Sequence, residues 1–125
     1  MGLAACLLLG IAPAWAHHSF AAEFDTKRPV RLEGVITWVE WSNPHVEIFV
    51  DVKGPDVEAT AWMVEAASPN ALMRRGFTKT SAPQGTRVVI DGYQAKSGAP
   101  RCTGLDIILP GGQKLILSAD AAGNR

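Results

Sequence analysis

The amino-acid sequence predicts a mainly β protein: a small OB-like antiparallel barrel with one short helix between strands three and four. Three observations support this fold class. The first strand is long and contains a glycine, the later strand segments alternate apolar and polar residues, and helix-start residues follow the third strand. An open β-sandwich and a meander with a helix plug are the alternatives that the same pattern allows.

The first predicted strand begins at Pro29 and follows a period-two pattern. Gly34 interrupts this pattern, and we expect a bulge or a bend there. The apolar residues before and after the glycine are expected to share one inward face, which makes Trp38 a core residue. This face consists of Val30, Leu32, Ile36 and Trp38.

The second predicted strand covers His45 to Val52 and follows turn residues at positions 42–44. Its alternation is uninterrupted, as expected for an antiparallel strand with one buried face. The inward set is Val46, Ile48, Val50 and Val52, and the outward set is His45, Glu47, Phe49 and Asp51.

A third strand is predicted over roughly Glu58 to Ala66. Ser68 then has the character of a helix N-cap, with Pro69 at the first helical position. The helix is expected to continue to Arg75 and to end at Gly76, a residue typical of the C′ position. The remaining strands are predicted at Arg87–Asp91, around Leu105–Leu109 and at Lys114–Leu117.

The first sixteen residues have the pattern of a signal peptide. An uncharged apolar run from Leu3 to Ile11 precedes Ala14-Trp15-Ala16, which has small residues at the two positions that a signal peptidase reads. The run is shorter than the about 20 residues that span a bilayer. We therefore expect cleavage after Ala16, a periplasmic or secreted protein without a membrane span, one domain over residues 17–125, and a frayed tail over residues 118–125.

Charge and cysteine content exclude several classes of function. The chain has 12 basic and 12 acidic residues, and all of them follow the leader, so the formal net charge is zero. Neutrality argues against nucleic acid as a partner, because phosphate binding needs clustered positive charge. Cys6 resembles the cysteine of a lipobox, but most of the apolar run follows it, which favours cleavage after Ala16. Cleavage there leaves Cys102 alone and excludes an intrachain disulfide or a CxxC motif.

Four sequence blocks together resemble one family of small exported bacterial proteins, catalogued only as a domain of unknown function. The resemblance spans nearly the whole chain after the leader. It departs from the expected pattern at Glu47, where an aromatic or apolar residue is expected. It implies export and a shared fold and supplies no reaction. The blocks are His17 to Asp25 (HHSFAAEFD), Asn43-Pro44-His45 within the turn, Ser68 to Gly76 (SPNALMRRG) and Gly92 to Lys96 (GYQAK).

The histidines are the candidate metal ligands. Cleavage after Ala16 makes His17 the N-terminal residue, whose α-amine and imidazole Nδ1 can chelate one metal ion. His45 can supply a third nitrogen if the N-terminal segment folds back over the turn, and His18 is a spare or alternative ligand. Nitrogen ligands favour copper first and zinc second. Solvated histidines without metal are the alternative. Glu65 or Asp25 could add an axial oxygen.

The outward aromatic residues Trp41 and Phe49 lie near His45 in the predicted strands and are candidates for a ligand-binding surface. No catalytic triad, P-loop or dinucleotide motif is present in the sequence. The sequence therefore predicts a non-catalytic copper-binding protein. The alternative is a metal-free OB-like module that binds a small molecule or an envelope protein. An oxidative copper enzyme is the third and weakest hypothesis.

Overall fold

The computed structural model describes residues 22–55 and 58–118. This part of the chain is mainly β, with one short helix between the third and fourth strands, as the sequence predicts. The elements are β1 (Phe24–Glu40), β2 (Glu47–Lys53), β3 (Ala59–Glu65), α1 (Pro69–Arg74), β4 (Arg87–Ala95), β5 (Arg101–Ile108) and β6 (Lys114–Ile116).

The strands form one sheet in the order β3-β2-β1-β4-β5-β6, with antiparallel neighbours. A further, parallel pairing of β3 with β5 joins Met63 to Arg101 and Glu65 to Thr103. The pairings therefore lead from β1 through β2, β3, β5 and β4 back to β1. We call these five strands the ring. This order agrees with the OB-like arrangement predicted from the sequence.

The length of β1 allows it to pair with two strands in succession. Its first part pairs with β4 and its second part with β2, and Gly34 pairs with both Val52 and Val88. A Cβ atom on Gly34 would lie 2.4 Å from the Asp51 carbonyl oxygen. The glycine is therefore required by the close approach of β2. The expected bulge at Gly34 is wrong, because the irregularity in the β1–β2 register lies between Ile36 and Trp38.

This register shift reverses the faces of the residues that follow it. Ile36 is buried, whereas Trp38 is 59% exposed, and Val39 packs against the core. An extra residue in a strand moves all later side chains to the opposite face. The prediction that Trp38 is a core residue is therefore wrong.

The inward face of β2 is as predicted. Val46, Ile48 and Val50 are fully buried, and Val52 packs against the same core. The opposite strands contribute Ile90 and Ile107, which are also fully buried. The main apolar core of the described residues thus lies inside the ring.

The helix is confirmed together with both of its caps. The Ser68 hydroxyl accepts a hydrogen bond from the Ala71 amide at 3.3 Å, and Pro69 opens the helix. Gly76 has a φ of 90°, the left-handed conformation that glycine adopts readily. No helix in the described part of the chain is long and apolar enough to cross a membrane.

Candidate functional site

The candidate site is centred on His45, which lies directly before β2. Its neighbour Val46 is anchored in the fold by two backbone hydrogen bonds, to Ala66 and Ala67, at 2.8 and 3.0 Å. The His45 side chain itself is 50% exposed. The backbone therefore holds the imidazole at one fixed end of the ring while leaving it accessible to solvent.

Glu65 contacts the imidazole from the last position of β3. Its Oε1 atom lies 3.2 Å from His45 Nδ1. The antiparallel pairing of β2 with β3 places Glu65 opposite Glu47. Glu47 follows His45 by two residues, so this pairing brings Glu65 close to the histidine. The Glu65 side chain is only 18% exposed, so its direction is restricted by the surrounding protein.

Arg101, at the start of β5, holds the second oxygen of the same carboxylate. Its Nη2 atom lies 2.9 Å from Glu65 Oε2. The parallel β3–β5 pairing brings this arginine beside the end of β3. Glu65 thus connects a cation on one side with an imidazole on the other, and an orienting contact of this kind fixes the position of the imidazole.

Arg101 also joins the beginning of β1 to this cluster. Its Nη2 lies 3.4 Å from Glu23 Oε2, and its Cζ lies 5.3 Å from the centroid of the Phe24 ring. Phe24 is buried and pairs with Ala95. The described chain therefore begins next to the arginine that holds Glu65. We call His45, Glu65, Arg101 and Glu23 the His45 cluster.

The metal ligands that the sequence predicts do not all lie at His45. His17 and His18 are outside the described residues. Of the two proposed oxygen ligands, Glu65 contacts His45, whereas Asp25 lies 3.7 Å from Arg28 Nε and accepts a hydrogen bond from the Lys27 amide. Within residues 22–55 and 58–118, no group of three or more His, Cys, Asp or Glu residues is arranged to hold a metal ion.

The two aromatic candidates occupy different environments. Trp41 is half-buried and packs against the core, and its ring stacks on that of Phe77 at 5.9 Å between centroids. Its expected outward position is therefore wrong, because the register shift in β1 turns it inward. Phe49 lies on the outward face, between Trp38 on β1 and Met63 on β3.

Sequence reasoning missed the contribution of Arg101 to this site. Its contacts with Glu65 and Glu23 bridge 36 and 78 positions of the chain. No local pattern indicates contacts over such separations. Burial raises the pKa of Cys102 to about 12, so this thiol stays protonated and does not supply a thiolate ligand.

Comparison with known proteins identifies a family. The sequence model of DUF6152, a family of unknown function, matches residues 5–105. No curated protein and no solved structure shows significant similarity to the chain. The match covers most of the chain, and the protein belongs to the family DUF6152.

Proposed function

We propose that the protein is an exported, non-catalytic copper-binding protein whose N-terminal histidine site combines His17 with His45. His18 is a further ligand, and zinc is the second choice of metal. The observation that carries the proposal is the contact between His45 Nδ1 and Glu65 Oε1 at 3.2 Å. A neutral imidazole that donates from Nδ1 to a carboxylate has its lone pair on Nε2, the usual arrangement of a metal-binding histidine.

The contacts of Glu65 with its second partner support this assignment. Arg101 Nη2 lies 2.9 Å from Glu65 Oε2, so the carboxylate that orients the imidazole is itself held in place. The half-exposed His45 side chain is accessible to an ion from solvent. Outer contacts of this kind typically change metal affinity by about 10–100-fold when they are removed.

The position of Glu23 supports the participation of the N-terminal segment. Glu23 and Glu65 both contact Arg101 Nη2, so the start of the described chain lies close to the carboxylate that touches His45. His17 precedes Glu23 by six residues, which can extend over about 20 Å at most. A shared ion between His17 and His45 is therefore within reach of the chain.

The donor set favours copper. An α-amine and two imidazoles supply three nitrogens, and nitrogen ligands bind Cu²⁺ most tightly among the divalent ions of the first transition series. Amine and imidazole groups as a class lose their protons at modest cost near neutrality, which suits them as metal ligands. Metal binding is then expected to release protons and to weaken at acidic pH.

The first experiment tests the free amine. The protein is produced with His17 as its first residue, and its Cu²⁺ affinity is measured by competition with a chelator. One glycine is then added before His17, which removes the α-amine from the chelate ring. We expect a loss of affinity of several orders of magnitude on extension. Equal affinities would overturn the N-terminal site.

The second experiment tests the His45 cluster. Glu65→Gln keeps the size of the side chain and removes its charge, and we expect copper affinity to fall by about tenfold or more. Glu47→Gln is the matched control, since Glu47 is the register partner of Glu65 on β2. His45→Gln should lower the affinity further. An unchanged affinity in both the Glu65 and the His45 variants would remove His45 from the site.

Export is tested separately. The pattern of residues 1–16 supports a periplasmic or secreted protein. The full chain is expressed in a bacterium, the envelope fraction is isolated, and the N-terminal residue of the protein is determined by mass spectrometry. We expect His17. A protein that stays in the cytoplasm with its first sixteen residues intact would overturn both export and the free-amine ligand.

A metal-free binding module is the second candidate, and one observation favours it. Trp38, Phe49 and Met63 are register partners across β1, β2 and β3, and Trp38 is 59% exposed. An exposed apolar patch on a sheet is typical of a surface that binds a partner. This candidate gains support if neither extension of the N-terminus nor His45→Gln changes copper affinity.

A further inference from the structure

The two ends of the ring are closed to different degrees. At the end that holds His45, α1 and the segment after it place Leu72 and Phe77 into the core, and both are fully buried. At the opposite end lies an open cleft of about 660 Å³. All five strands of the ring or their immediate extensions contribute to its walls.

The walls of the cleft combine apolar surface with charges of both signs. The apolar surface comes mainly from Val35 on β1, Val88 and Val89 on β4, and Leu109 and Pro110 after β5. The charged residues are Glu33, Asp51, Lys53 and Arg87. Small-molecule sites typically have this composition and a volume of about 300–1,000 Å³.

The four charged side chains of the cleft make no ion pairs with one another. Within residues 22–55 and 58–118, none of these four side chains forms an ion pair with any other charged residue either. Two carboxylates and two cations thus face one cleft while their charges are balanced only by solvent. A ligand that carries both charges can pair with one carboxylate and one cation of the cleft together.

The sheet register places one negative and one positive residue of the cleft on opposite sides of an apolar residue. Val35 pairs with Asp51 on β2 and with Arg87 on β4, so the three side chains lie in one row on the same face. Neighbouring strands are about 4.8 Å apart, which places the Cα atoms of Asp51 and Arg87 about 10 Å apart. The row therefore presents a negative group, an apolar surface and a positive group in sequence.

We propose that this cleft binds a small zwitterion whose ammonium and carboxylate groups are separated by an apolar body. The ammonium group binds at Asp51, the carboxylate binds at Arg87, and the apolar body packs on Val35, which lies between them in the row. The cleft shares no residue with the His45 cluster. We therefore expect binding there to leave copper affinity unchanged.

The test uses ε-aminocaproate as the probe, because its two charges are separated by a chain of methylene groups. Caproate and hexylamine each carry one of the two charges and serve as matched ligands. Affinities are measured by titration calorimetry, and amide shifts are followed by NMR. We expect the zwitterion to bind at least about tenfold more tightly than either analogue, with shifts at Val35, Asp51 and Arg87. Absence of binding at millimolar concentrations, or equal affinities for the three probes, would overturn the proposal.

Variants locate the binding site. Arg87→Gln is expected to weaken the binding of ε-aminocaproate and caproate and to leave the binding of hexylamine unchanged. Asp51→Asn is expected to weaken the binding of ε-aminocaproate and hexylamine and to leave the binding of caproate unchanged. Lys79→Gln and Glu40→Gln are the controls, since these exposed side chains do not line the cleft. Unchanged affinities in both cleft variants would overturn the proposal. Copper affinity is measured on the same variants and should not change, so that the two proposals fail separately.

Discussion

At the scale of single residues, Cys102 shows how burial limits chemistry. Its side chain is fully buried beside Val64, in the core of the ring. Burial disfavours the thiolate and raises the pKa of Cys102 from 9.0 to about 12. Since the thiolate is the form that binds metal and attacks electrophiles, the residue has a packing role in the folded protein.

The pKa shift of Cys102 predicts a loss of stability at alkaline pH. The unfolded chain releases the thiol proton from about pH 9.0, whereas the folded chain retains it until about pH 12. The unfolded state therefore binds fewer protons over this range, and the free energy of unfolding falls as pH rises through it, by about 4 kcal/mol at most. Stability is measured by urea unfolding at neutral pH and at several values between 9 and 12.

Cys102→Ala is the control for this effect. It removes the titrating group, so its free energy of unfolding should fall less steeply over the same pH range, whatever its stability at neutral pH. Parallel curves for the two proteins would contradict the assignment of the alkaline loss to Cys102.

The sequence predicted some residues of the candidate site and missed others for a physical reason. His45 is the one histidine outside the terminal pair, so it could be selected from the sequence alone. Glu65 could be proposed as an oxygen ligand, but nothing local distinguished it from Asp25. Arg101 could not be placed, because its contact with Glu65 depends on the parallel pairing of β3 with β5.

At the scale of elements, β1 depends on close packing at Gly34. A Cβ atom there would lie 2.4 Å from the Asp51 carbonyl oxygen and 2.6 Å from Val50 Cγ1. The backbone oxygen belongs to the paired strand and cannot move without disturbing the β1–β2 register. β1 also pairs with β4 at the same residue, so displacement of one strand affects three.

Gly34→Ala is therefore expected to destabilise the protein by about 1–3 kcal/mol or more, the usual effect of an added group in a closely packed region. The matched control is Gly54→Ala, since a Cβ at Gly54 would meet nothing within 4 Å. Both free energies of unfolding are measured by urea titration. Equal stabilities of the two variants would show that β2 can move away from β1 without loss.

Elements differ in how far the sequence determines them. The helix and its caps were predicted correctly, because Ser68, Pro69 and Gly76 act on the backbone within a few residues. The side of the sheet on which Trp38 lies was predicted wrongly, because the irregularity between Ile36 and Trp38 exists only in the pairing of β1 with β2. A period-two pattern carries no information about a shift that a partner strand imposes.

At the scale of the whole molecule, the two ends of the ring are built differently. The end filled by α1 holds the His45 cluster, and the opposite end has an open cleft. The stability of the ring must therefore come from the core and from the filled end. Leu72 is the buried residue of α1, and it belongs to the same core cluster as Phe77.

We call α1 and the segment that follows it to Phe77 the plug. This division predicts that shortening a buried side chain of the plug affects the whole fold. Leu72→Ala should lower the free energy of unfolding by about 2–5 kcal/mol, a large part of the about 5–15 kcal/mol of a typical domain. Met73→Ala, one position later on the same helix, should change little, because Met73 is 46% exposed. Unfolding is followed by circular dichroism and by the fluorescence of Trp41, which stacks on Phe77. The protein for this measurement begins at His17, and Trp38 and Trp62 are replaced by phenylalanine, so that Trp41 is its single tryptophan. If the plug and the ring form one cooperative unit, both signals change together in each variant. A fluorescence change at lower urea than the loss of strand signal would instead show that the plug opens while the ring stays folded.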